Sequence, residues 1–264
     1  MDALTPPILL FLGIVIISLV CEYIDSAQGG GYGTLLVPAL LLCSFDPGVV
    51  VPAVLFTEIW SGLSSGILHH FVGNARFEAV RNGKSLEFSD DTKITIVLAI
   101  CGIFGGIFAA LVAINLPKEL IKTYIGLLVL VTGILVFANF HWQFSFSKIS
   151  AIGGLAAFNK GISGGGYGPL VTTGQILVDR NPKQAVASTS LSEAIVCVSA
   201  LGIYFFSGEN FTDIPFLIAL TIGSLASVPI AVLTVKHVPI AKLKQCVGIT
   251  CIGLGLLTLL RLFL

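Results

Sequence analysis

The pentapeptide GGGYG occurs twice, at residues 29–33 and 164–168, each time inside apolar sequence that otherwise reads as buried helix. Glycine is among the poorest helix formers, so each run must interrupt a helix. Sliding the chain against itself by 135 residues aligns 29–58 with 164–193 without a gap, and 10 of these 30 positions are identical. The matched pairs include Tyr32 with Tyr167, Pro47 with Pro182 and Glu58 with Glu193. At an offset of 122, Pro117 meets Pro239, Lys122 meets Lys244 and Gly126 meets Gly248. The chain is therefore a duplication, with halves at 1–147 and 148–264.

Composition sets the solvent. With 264 residues, 55% hydrophobic, 11% charged and a mean hydropathy of +0.99, the sequence lies outside the range of soluble domains. It reads as an all-α polytopic membrane protein of about eight membrane helices, each spanning one needing roughly 20 apolar residues. Each half follows one plan: a broken or re-entrant helix hairpin around its glycine loop, then three long helices. The arms at 33–44 and 168–178 are too short to span. The long helices fall at 47–71, 92–114 and 119–140, then at 182–206, 214–235 and 239–264. Asp46-Pro47 and Asn181-Pro182 supply the N-cap and first-turn proline of the first in each set. The apolar run 7–20 lacks the flanks of a cleavable leader and is expected to remain. The six cysteines show neither CxxC nor Cys/His spacing, so no metal site is expected.

Charge orients the halves. The loop 72–91 carries Arg76, Arg81 and Lys84, whereas its counterpart 207–213 has no Lys or Arg. The positive-inside rule puts the first loop in the cytoplasm and the second outside, which inverts the second half relative to the first. On this topology 10 of the 14 basic residues are cytoplasmic, including those of 236–244. Lys118, Lys122 and Arg261 lie outside, and Lys160 falls within the membrane. The loop 72–91 reads as an ordinary connector, and His69-His70 as interfacial.

Inverted halves with broken helices are a transporter design in which non-helical backbone lines a midplane site. Each glycine loop opens into a short helix whose N-terminus suits an anion. The expected substrate-binding residues are Gly29, Gly30, Gly31, Tyr32, Gly33, Lys160, Ser163, Gly164, Gly165, Gly166, Tyr167 and Gly168, with Ser26, Gln28 and Thr34 alongside. Glu58 and Glu193 lie at mid-helix, and Asp25 and Lys160 correspond under the 135 offset, each just ahead of its loop. Ionisable residues at that depth are costly and mark function, so Asp25, Glu58 and Glu193 are candidates for proton coupling or charge pairing.

The glycine loop at 29–36 with Pro38, its repeat at 161–170, and the two-half plan resemble the TauE/SafE family of sulfite exporters. That resemblance implies a carrier in a bacterial cytoplasmic membrane for small anions such as sulfite, thiosulfate or sulfoacetate. Thr173 stands where the first repeat has Pro38. The expected function is thus alternating access of a small anion, with protons as the coupling ion and the bilayer as the other partner. A passive anion channel and a non-transport membrane scaffold are the alternatives from the same residues. No Walker motif or HExxH occurs, so neither ATP nor enzymatic chemistry is expected, and no cofactor or nucleic-acid partner.

Overall fold

The computed structural model describes residues 7–82, 85–137, 146–177, 180–207 and 213–237, and separate positions between 249 and 260. Among these it is helical apart from one short hairpin: α1 (Pro7–Gln28), α2 (Tyr32–Leu42), α3 (Pro47–Phe71), β1 (Ala79–Asn82), β2 (Ser85–Phe88), α4 (Asp90–Ala113), α5 (Lys118–Phe137), α6 (Phe146–Ser163), α7 (Tyr167–Leu177), α8 (Pro182–Phe206) and α9 (Ile214–His237). Five described helices, α1, α3, α4, α8 and α9, are long and apolar enough to cross a membrane. By contrast, α2 and α7 have 11 residues each, a rise of about 16 Å against a hydrocarbon core of about 30 Å. The expected helix 239–264 lies largely outside the described residues.

Local chemistry fixes the starts. The Asp46 carboxylate accepts from Gly48 N (2.8 Å) and the Asn181 amide oxygen from Lys183 N (3.0 Å), so equivalent caps open α3 and α8 ahead of Pro47 and Pro182. Ser89 Oγ accepts from Thr92 N (3.2 Å) and Asp90 and Asp91 occupy the first turn, which starts α4 two residues before the expected position.

The loop 72–91 is more than a connector. It holds an antiparallel hairpin pairing Ala79 with Phe88 and Asn82 with Ser85. The Asn82-Gly83 dipeptide was the available signal for it.

Helices α1 with α9, α4 with α6, and α3 with α8 make the main contacts, and α4 also packs on α8. Ser65, near the end of α3, hydrogen-bonds Ser190, in the first third of α8, at 3.4 Å, and Gly62 backs onto Ser190 and Ala194. These two helices therefore run antiparallel. Their buried faces carry Thr57, Glu58, Ser61, Ser188, Thr189 and Glu193, while Phe104, Phe108, Phe205 and Phe206 project outward. Polar groups inside and large apolar groups outside suit a lipid surround.

Candidate functional site

The two glycine loops cross at the centre and lie backbone against backbone. In the first, α1 ends as Gly29 turns to φ 74°, with the amides of Gly29 and Gly30 both bonded to Asp25 O (2.7 and 3.1 Å). In the second, α6 ends the same way: Gly164 has φ 71° and its amide bonds Lys160 O at 2.8 Å. A Cβ on Gly33 would stand 1.6 Å from Gly164 O, and one on Gly168 would stand 2.2 Å from Gly30 Cα. Only glycine permits this approach.

The crossing occupies many of the amides expected to face an anion. Asp25 Oδ1 accepts from Tyr32 N (2.9 Å) and so caps α2. Ser163 Oγ accepts from Gly165 N (3.1 Å), and Thr34 Oγ1, from the opposite repeat, accepts from Gly166 N (2.9 Å). The tyrosine hydroxyls are also engaged. Tyr32 lies 3.0 Å from Ser18 Oγ, and Tyr167 donates to Ser192 Oγ at 3.0 Å. Gln28 is buried beside the loop, its Nε2 without a hydrogen-bond partner among the described residues.

The ionisable residues converge beside the crossing. Lys160, on the last turn of α6 and 1% exposed, contacts Glu58 Oε2 of α3 and Glu193 Oε1 of α8, the latter at 2.8 Å. Carboxylate oxygens of Asp25, Glu58 and Glu193 lie within 4.8 Å of one another. Two carboxylates thus pair with one ammonium and a third lies in the same cluster, and Glu58 Oε1 is buried without a hydrogen-bond partner among the described residues. Cys197 donates its thiol to Glu58 Oε2 at 3.7 Å.

Two residues given no part in the expected site sit close by. Glu22, one turn before Asp25 on α1, is 1% exposed and accepts from Ser26 Oγ (2.7 Å) and Ser61 Oγ (2.9 Å). Its i,i+3 spacing from Asp25 was the signal, masked because its repeat counterpart is Ala157. His69, expected at the interface, is instead fully buried. Its Nε2 lies 3.3 Å from Ser26 O and its Nδ1 lies 2.9 Å from Asn74 Nδ2, so it ties α3 to α1 and closes the helix end.

An all-α membrane protein that gathers charged side chains on broken helices has the architecture of a membrane transporter. The chain belongs to the Sulfite exporter TauE/SafE family, whose profile matches residues 14–258. It is also 26% identical over 230 residues to a protein of Bacillus subtilis (strain 168) described as "Probable membrane transporter protein YtnM", covering 81% of this chain and 71% of that one. No solved structure matches it.

Proposed function

We propose that the protein is a secondary transporter of a small anion, of the sulfur oxyanion or organosulfonate class, working by alternating access about the glycine-loop crossing in a bacterial cytoplasmic membrane. The observation that carries this reading is Lys160 held between Glu58 and Glu193, one glutamate from each repeat. The antiparallel α3 and α8 and the reciprocal glycine contacts support an inverted pair of repeats, with loop 72–91 and residues 236–244 facing the cytoplasm.

Coupling follows from competition for one ammonium. Unneutralised charge is expensive at this depth, so three carboxylates beside one lysine call for bound protons. A metal ion would have to displace the ammonium that already bridges two of them. When Glu58 and Glu193 take up protons, their hold on Lys160 weakens and the ammonium becomes available to an oxyanion. Anion and proton then favour each other's binding, as linkage requires. Gly164 to Gly168 and Gly29 to Gly33 form the pivot, and Ser163 and the loop amides would meet the anion as the crossing opens.

The test is flux by purified protein in liposomes, with sulfite, thiosulfate, sulfoacetate and a carboxylate compared with and without a proton gradient. Saturable, gradient-responsive flux of a sulfur anion is expected, and Lys160→Ala should reduce it to background while the protein remains folded in the membrane. Non-saturating flux would identify a channel. Unchanged flux in Lys160→Ala would remove that lysine from the site.

A further inference from the structure

A cleft of about 560 Å³ opens on the face bearing the hairpin, lined by Arg76, Lys93 and Arg180 together with Asp90 and Asp91. At its floor, the Asp91 carboxylate accepts from Arg76 N at 2.8 Å through Oδ2 and from the Arg180 guanidinium through Oδ1. One guanidinium and one backbone amide around a carboxylate is an arrangement that also suits a free oxyanion. Here the protein's own carboxylate fills it.

Arg180 is also the outer end of a continuous run of side chains. Its Nη1 donates to Gln175 Oε1 (3.0 Å), and Gln175 Nε2 donates to Thr189 Oγ1 (2.9 Å). Thr189 Oγ1 lies 2.9 Å from Thr172 Oγ1, which donates to Gly29 O at the loop crossing. Gln175, Thr189 and Thr172 are buried, as is the neighbouring Ser188, whose Oγ lacks a hydrogen-bond partner among the described residues. Under the 135 offset these positions correspond to Phe45, Leu40, Val54, Val37 and Ala53 of the first repeat, every one apolar. The first repeat shows that this scaffold packs without polar groups here, so packing does not explain them. Buried polar side chains carry a desolvation cost that these five positions need not bear.

We infer that this cleft and run form the entry port for the transported anion on the basic face, with Arg180 as its receptor and Asp91 as the internal counter-ion that the anion displaces. The inference rests on the transport reading above and adds the port to it. Displacement of Asp91 turns Arg180 toward the incoming anion and loosens its bond to Gln175, and the hydroxyls of Thr189 and Thr172 then offer donors toward the glycine crossing.

The port is tested on the full chain in two ways. In oriented proteoliposomes, Arg180→Gln is expected to raise the KM for thiosulfate or sulfite entering from the basic face about tenfold, the weight of one charge-assisted contact, while KM from the opposite face stays put. An equal change from both faces would reduce Arg180 to a structural role. Separately, Gln175→Cys is labelled with a membrane-impermeant thiol reagent and read at that peptide by mass spectrometry, alongside Leu40→Cys. Labelling of position 175 from the basic face, faster when combined with Asp91→Asn and slowed by thiosulfate, is expected, with position 40 unlabelled. Labelling from the opposite face, or indifference to Asp91→Asn, overturns the port. Absence of saturable flux in the unmodified protein would defeat the transport reading, whereas the Asp91 dependence of labelling would still report whether an opening exists.

Discussion

The two repeats bring the same backbone to the loop crossing and very different side chains away from it. From Gly29 outward along α7 and α8 runs Thr172, Thr189, Gln175 and Arg180; from Gly164 outward along α2 and α3 stand Val37, Val54, Leu40 and Phe45. Phe45 closes its side by stacking on Phe216, with ring centroids 5.2 Å apart. The position just ahead of each loop differs as sharply. Asp25 caps its own short helix, whereas Lys160 cannot, and bridges the glutamates of both repeats instead. Where the duplication must interlock with itself, both copies keep glycine. Where a single charge cluster or a one-sided route is served, the copies part.

The largest effect should come from breaking the shared backbone. Gly33→Val and Gly168→Val each drive a side chain into the opposite loop, and each is expected to destabilise by about 3 kcal/mol or more, the upper end of overpacking. Gly202→Ala, with nothing within 4 Å of the added Cβ among the described residues, is the control. Thermal unfolding in detergent measures all three. Tolerance of one loop substitution but not the other would show that the crossing is not reciprocal.

Next comes the charge that the copies do not share. Lys160→Met leaves buried carboxylates without their cation and should cost about 3 kcal/mol, the low end for breaking a buried pair. Adding Glu58→Gln and Glu193→Gln to it removes the orphaned charge, so stability should recover while anion flux remains absent. If flux returned with stability, the cluster would be a structural brace and no more.

Converting one seam into the other has a smaller effect on stability. Gln175→Leu with Thr189→Val gives the second repeat the apolar character of the first, and losing both partners of a hydrogen bond is nearly neutral, within about 1 kcal/mol. Anion flux should nonetheless fall, read in the liposome assay. The reverse change, Leu40→Gln, buries an amide without a partner and should cost about 1–3 kcal/mol.

Much of this is legible in the sequence. The repeat offset located both glycine loops, and the Asx-Pro pairs located the starts of α3 and α8 to the residue, because caps and breakers act locally. Mid-helix position singled out Glu58 and Glu193. What stayed hidden depends on long-range approach. Nothing local to GGGYG says that its partner is the other GGGYG, so the loop amides read as free for a ligand although Asp25, Ser163 and Thr34 take several of them. Glu22 is inconspicuous because its counterpart in the other repeat is Ala157, and His69 because its partner Ser26 O lies on another helix. The Arg180 run is visible only once α7, α8 and α4 are packed.

The gentlest comparison is between the ion pairs at the two ends. Arg180 and Asp91 have side chains 11% and 5% exposed, whereas Lys118 and Asp46 are 65% and 40% exposed. Exposed pairs contribute about 0.2–1 kcal/mol, so Lys118→Ala should destabilise by less than about 1 kcal/mol and less still in high salt. Its pH dependence fixes the cause. Partial burial acts to raise the Asp46 carboxyl, but the Lys118 ammonium and the Gly48 amide outweigh it and hold the group below the usual carboxylate range. A carboxyl lowered by folding stabilises fully above its unfolded value of about 3.9 and loses that contribution as pH falls through the lowered folded value. The gap in unfolding temperature between the unmodified protein and Lys118→Ala should therefore be constant from neutral pH down to about pH 4 and close below it. A gap that persists in strong acid would assign the effect to the packing of the lysine stem, and the Asp46 end would then lack an electrostatic latch to set against the one at Asp91.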